Sequence, residues 1–197
     1  VSFVSASVAL ILSSAFGIPL AYVLARRDFA GKWLVNILIV LPLVIPPVVS
    51  GILLLMVYGP YTFLGGLGTW AGFELTGTLW GIILAQVFVA SPFLIISAKS
   101  AFEAVDEKLE RVSLGLGKSH WQTFRKITLP LAKKGIIAGM ILAWARALGE
   151  FGATMVIAYH PHSLPVKIWV DFIGKGLEPT FPVMLLLLII GFLVFLA

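Results

Sequence analysis

Five long stretches of this chain carry almost no charge, and that pattern constrains its fold more than any other feature. Residues 1–25, 33–73, 75–98 and 179–197 contain no Asp, Glu, Lys or Arg, and residues 135–159 contain only Arg146 and Glu150. Each stretch is long enough to cross a hydrocarbon core of about 30 Å at about 1.5 Å per helical residue. The second is too long for one crossing, but Gly59-Pro60 and Gly65-Gly66-Leu67-Gly68 interrupt it. The expected spans are therefore 1–25, 33–58, 79–98, 135–159 and 180–197. With no basic stretch before it, the first reads as a span and not as a secretory signal.

Composition agrees. The chain of 197 residues is 60% hydrophobic and 12% charged, about half the charge of a soluble domain. A soluble fold of this size could not hide so much apolar surface. The expected fold class is all-α: a polytopic membrane helix bundle, one transmembrane domain over 1–197 with a cytoplasmic loop at 99–134. Val1 starts directly in a span and Ala197 ends in or near the membrane. That is the pattern of a piece of a longer chain, with at least one earlier helix and six spans in all. The absence of cysteine removes disulfides, thiol ligands and thiol catalysis.

The net charge of +5 suggests nucleic acid until the basic residues are located. Eleven of the fourteen lie in just two loops: Arg26, Arg27 and Lys32 in 26–33, and eight more in 99–134. The positive-inside rule puts both loops in the cytoplasm, with the first residue outside and the last inside. His120 then lies across the membrane from His160 and His162, so the three histidines form no metal site. No nucleophile elbow or paired carboxylate points to catalysis.

The loop 99–134 is the most informative segment. Phe102, Val105, Leu109, Val112 and Leu116 recur at helical spacing and predict one amphipathic helix, ended by Gly115 and Gly117. Ser119 is the expected N-cap of a short second helix carrying His120, Trp121, Gln122, Thr123 and Phe124. Ile127-Thr128-Leu129-Pro130 is expected to stop it. Two roles fit this pattern: an interfacial helix lying on lipid, or a docking element whose Trp121 and Phe124 anchor a soluble partner.

Two features inside the spans stand out. Arg146 and Glu150 are four residues apart, hence expected on one helix face, and each is costly against lipid. They brace the bundle as a neutral pair, or they line a pathway in which Arg146 helps an oxyanion and Glu150 tunes it. Pro42, Pro46 and Pro47 remove backbone donors and should bend or interrupt the second span. The break is either a packing kink or a gate beside a water-filled cavity, with Ser50 and Gly51 available to face it.

The sequence also resembles a known family. Gly117, nine residues, Ile127, one residue and Leu129-Pro130 match the "EAA loop" of ABC importer permeases, which reads EAA, three residues, Gly, nine residues, Ile, one residue, Leu-Pro. The EAA positions are Arg111-Val112-Ser113 here, and the nearest acid, Glu110, is one residue early. The segment Trp144-Ala145-Arg146-Ala147-Leu148-Gly149-Glu150-Phe151-Gly152-Ala153-Thr154 resembles permeases for molybdate, tungstate and sulfate. Ile157-Ala158-Tyr159-His160-Pro161, Gly176-Leu177 and Pro182 resemble the molybdate/tungstate branch, and the likeness runs from Gly17-Ile18-Pro19-Leu20-Ala21-Tyr22 onward.

The resemblance implies a type I importer permease, not itself an enzyme, in the cytoplasmic membrane of a prokaryote. Two copies would pair around a pathway that opens by alternating access, fed by an external oxyanion-binding protein. Two cytoplasmic ATPases would bind the ATP and Mg; this chain has no nucleotide fingerprint, since Gly117-Lys118-Ser119 lacks the glycine five residues earlier that a phosphate loop needs, Val112 standing there. The coupling loop would comprise Glu110, Gly117, Lys118, Ser119, His120, Trp121, Gln122, Thr123, Phe124, Arg125, Leu129 and Pro130. Candidates for the pathway or for bracing are Arg146, Glu150, Pro46, Pro47 and Ser50. Apart from a sulfate-type permease, the other reading is a self-contained secondary transporter or channel, whose inverted repeat and multiple intramembrane charges are not evident.

Overall fold

Small residues repeat every fourth position along two of the apolar stretches, and these stripes set how the helices pack. The computed structural model describes residues 1–72 and 74–196. Phe73 and Ala197, the expected end of the fifth span, lie outside them. The described residues form α-helices without strands: α1 (Ser2–Arg26), α2 (Lys32–Val44), α3 (Pro47–Tyr58), α4 (Phe63–Trp70), α5 (Leu79–Glu103) and α6 (Glu107–Gly115). Then follow α7 (His120–Thr123), a π-helical turn (Phe124–Thr128), α8 (Leu129–Leu148), α9 (Gly152–Ile157), α10 (Leu164–Lys175) and α11 (Leu177–Leu196).

α5 is the central post, and twelve of its residues are buried. It packs on α1, whose buried Ala9, Ser13, Gly17 and Ala21 form one stripe. It also packs on α8 through Gly135 and Gly139, where an added Cβ would come within 2.6 Å of Ala101 Cβ and 2.7 Å of Ser97 Cβ. Small residues let helix backbones approach closely where lipid supplies no hydrophobic drive. The large apolar side chains face outward instead: Phe16 is 75% exposed and Leu188 is 71% exposed. A bilayer solvates such a surface; water does not.

Four helical segments are long and apolar enough to cross a membrane, and α2 with α3 supplies a fifth crossing if the bent pair is one span. Three of the sequence-based boundaries need correction; the second span is interrupted at its prolines as expected, α2 and α3 meeting at 119° across Ile45-Pro46. Adjacent prolines explain the break, since Pro47 lacks an N–H to continue the α2 ladder and disfavours helical geometry at Pro46. The fourth span does not run 135–159 unbroken; α8 ends at Leu148 and α9 restarts at Gly152. The stripe from Phe102 to Leu116 is not one helix. Phe102 belongs to α5, and Asp106 starts α6 afresh by accepting the Lys108 N–H at 2.9 Å. Pro130 does not stop the short helix that begins at His120, because His120–Leu148 is continuous. The chain accommodates that proline by widening the turn before it, with Leu129 N–H reaching the Phe124 carbonyl. The loops 59–78 and 160–178 also hold helices, α4 and α10, that hydrophobic spacing does not announce.

Candidate coupling site and intramembrane ion pair

The loop 99–134 owes its shape to a few specific residues. Gly117 has φ +81°, a left-handed conformation that a Cβ would strain. Ser119 Oγ then accepts the Gln122 N–H at 3.2 Å while Gln122 Oε1 accepts the Ser119 N–H at 3.1 Å. This capping box satisfies two donors and starts α7 at His120. Ser113 and Thr123 hydroxyls meet at 2.9 Å in a buried contact that joins α6 to α7.

The two aromatics of α7 and its π-turn do different things. Phe124 turns inward, edge-on to Tyr22 of α1 with ring centroids 4.8 Å apart, and packs with Phe102 of α5. Of the two rings expected to anchor a soluble partner, Phe124 instead packs into the bundle. Trp121 stacks on Phe124 at 5.8 Å but remains 66% exposed. Val112 (61%) and Leu116 (76%) are exposed on the same loop, beside the exposed Lys118, His120, Gln122 and Arg125. Leu129 is half-buried and Pro130 exposed in the continuous helix.

Glu110 faces the bundle. Its carboxylate accepts the Arg26 guanidinium from Nε at 3.1 and 3.2 Å and from Nη2 at 3.0 Å. Thr128 Oγ1 donates to Glu110 Oε1 at 2.7 Å. Spacing does not point to Arg26 or Thr128, because they lie 84 and 18 residues from Glu110.

Arg146 and Glu150 do meet: Nη1 lies 2.6 Å from Oε2. Glu150, however, sits beyond the end of α8. Its other oxygen accepts the Ala153 N–H at 2.8 Å, so one carboxylate joins the last turn of α8 to the first turn of α9. Gln86, which charge patterning overlooks, is buried on α5 and donates to the Ala147 carbonyl at 2.9 Å. It adds a second donor to a carbonyl at the end of α8 that also accepts the Glu150 N–H at 3.2 Å. The two breaks interlock: a Cβ on Gly152 would lie 2.8 Å from Pro47 Cβ, and one on Gly51 would lie 2.8 Å from the Ala153 carbonyl oxygen. Next to Gly51, Ser50 is fully buried with no hydrogen-bond partner on its hydroxyl among the described residues, and the Thr154 hydroxyl on α9 is in the same condition. Pro46 forms the break itself.

Between α9 and α10, the His160 and His162 rings stack at 4.2 Å. Burial, with His160 alongside, pushes His162 below its ordinary 6.5. On α10, Lys167 and Lys175 hydrogen-bond Asp171 and hold its carboxyl below the usual 3.8.

Comparison with known proteins places this architecture. Residues 17–197 match the family described as binding-protein-dependent transport system inner membrane component. The chain belongs to that family. This permease is 50% identical over 186 residues to a probable molybdenum ABC transporter permease protein of Haloferax volcanii, covering 94% of this chain and 68% of the relative. It is 41% identical over 187 residues to the molybdate/tungstate transport system permease protein WtpB of Pyrococcus abyssi, covering 95% and 70%. With the molybdenum transport system permease protein ModB of Escherichia coli K12 it shares 44% identity over 150 residues, covering 76% and 66%.

Among solved structures, the bacterial alginate ABC transporter matches with a TM-score of 0.78 at 17% identity, covering 99% of this chain and 73% of that one. The MetNI methionine ABC transporter matches at 0.76 and 17%, covering 98% and 87%. The fold is thus that of an ABC importer permease, a multi-pass inner-membrane subunit and not an enzyme. A permease of this kind works with an ATPase partner and a substrate-binding protein. Family membership sets aside the self-contained transporter.

Proposed function

We propose that this permease forms, with a second copy of itself, the membrane pathway for a tetrahedral oxyanion, molybdate or tungstate. An external binding protein delivers the anion, and two cytoplasmic ATPases, which hold the ATP and Mg, drive alternating access. Residues 1–197 act as one transmembrane domain, and loop 99–134 is its docking element. The observation that carries the reading is the α6–α7 surface. Its polar groups are satisfied internally by the capping box and by Glu110, yet Val112, Leu116 and Trp121 point out of the bundle. Lys118, His120, Gln122 and Arg125 rim that apolar surface, as at an interface with an anchor and a polar border. The choice of anion rests on relatives from archaea and bacteria that are named for molybdenum, molybdate or tungstate.

Within the membrane, Arg146 and Glu150 brace the α8–α9 break in this reading. Pro46, Pro47, Ser50 and Thr154 border the junction of the two broken segments, where unpaired hydroxyls suit a polar path. The test is ATP hydrolysis by the transporter reassembled in vesicles with its binding protein. Molybdate or tungstate should stimulate hydrolysis and sulfate should not. Stimulation by sulfate alone would overturn the anion assignment, and assembly without any ATPase would overturn the docking reading.

A further inference from the structure

Glu110 and its partners form a polar clasp between the coupling loop and the end of α1. Arg26 is 10% exposed and Glu110 14% exposed, although both lie where the chain leaves the membrane. Arg26 Nη2 also donates to the Val105 carbonyl at 2.9 Å, so one guanidinium holds both the α5–α6 turn and α6 itself. Thr128, fully buried in the π-turn, closes the third side. The Tyr22–Phe124 contact lies beside it. Tyr22 and Arg26 are four residues apart, hence on one face of α1. One turn of α1 therefore grips the loop twice, once through charge and once through aromatic packing.

We propose that Glu110 is a positioning residue for energy coupling. Through Arg26 and Thr128 it locks the docking surface to the cytoplasmic end of α1, so that displacement of that surface moves α1 instead of bending the loop. This rests on the docking reading above and adds a route for the motion. A docking surface held only by short polar turns would absorb a push as local deformation. A largely buried, three-sided set of charge-assisted hydrogen bonds resists it. The direction of the carboxylate supports this: Glu110 is turned away from the exposed face that carries Trp121, so it is poorly placed to touch a partner.

The experiment uses the whole transporter, with its ATPase and binding protein, in vesicles, with molybdate as the transported probe. Glu110→Gln removes the charge and keeps the shape. Thr128→Val removes only the 2.7 Å hydrogen bond and guards against a Glu110 variant that fails to fold. Trp121→Ala is the docking control. For Glu110→Gln we expect ATPase affinity to fall less than about threefold. Molybdate moved per ATP hydrolysed should fall about tenfold, within the usual range of coupling between sites. Thr128→Val should shift the same ratio in the same direction by less. An unchanged ratio in both variants, or a loss of transport only in step with ATPase binding, overturns the proposal. If Trp121→Ala leaves ATPase binding intact, it is the docking reading that fails, whatever the ratio for Glu110→Gln.

Discussion

Replacing Arg146 with methionine strips Glu150 of the guanidinium 2.6 Å away and leaves a carboxylate that is 1% exposed. At that distance the gross attraction is about 6 kcal/mol with an effective dielectric constant of 20. Most of it offsets the cost of taking both charges out of water, and breaking a fully buried pair typically costs about 3–5 kcal/mol net. Arg146 is 27% exposed, so solvent screening lowers the expected cost of Arg146→Met to about 2.5 kcal/mol. Glu150→Gln should be milder, at about 1.5 kcal/mol, because the stranded guanidinium can reach toward water and the amide oxygen can still accept the Ala153 N–H. The double variant leaves no buried charge and should lose about 1 kcal/mol, a coupling of about 3 kcal/mol between the two sites. The assay is thermal unfolding in detergent. For a chain of this size the Arg146→Met loss corresponds to a drop of roughly 5–10 °C. A double variant as damaged as the two single variants added together would mean the groups are uncoupled, and the bracing role would fall.

Other outcomes follow from the same structure. A cysteine placed at Lys118, in a chain that has no other, should react with impermeant reagent only from the cytoplasmic side; labelling of intact cells from outside would invert the topology. Trp121→Ala should weaken ATPase pull-down roughly 30-fold, from about 2 kcal/mol of anchor energy, with no change in melting temperature. Phe124→Ala should instead lower the melting temperature through a loss of about 2–4 kcal/mol, because its ring packs on Tyr22 and Phe102. Equal melting temperatures for the two variants would refute that division. Asp171, hydrogen-bonded by Lys167 and Lys175, has a lowered folded-state pKa. It therefore adds stability above its unfolded value near 3.8 that is lost as pH falls through the lowered folded value. Asp171→Asn should flatten the acid limb of the melting curve there, and an unaltered limb would refute the linkage.

Much of this fold can be read from charge and spacing. Absence of charge finds the apolar crossings, paired prolines find the break in the second, and Ser119 with Gln122 three residues on finds the start of α7. What escapes are features set by tertiary contact. Glu110 looks like one more solvated acid on a charged helix face until α1 brings Arg26 beside it. Phe124 follows the exposed Trp121 by three residues, and only Tyr22 and Phe102 decide its direction. Glu150 satisfies the spacing for one helix face, but Gly149 ends α8 just before it, and the carboxylate then serves α9. Helices α4 and α10 are short and lie outside the long crossings, where no sustained apolar period marks them.

The π-turn at Phe124–Thr128 has a consequence for geometry across the whole subunit. Trp121 and Arg146 lie on one continuous helix, His120–Leu148, twenty-five residues and about 37 Å apart. Along such a rod, length changes by only about 1.5 Å per residue, while azimuth changes by about 100°. The extra residue in the wide turn acts less as a spacer than as a phase offset, setting the compass direction of Trp121 relative to Arg146. Deleting one residue within 124–128 would leave the rod nearly as long but swing Trp121 about a quarter turn round its axis. The crossings should still insert, yet the ATPase should be lost from pull-down, because the two ends of the rod would no longer face their targets together.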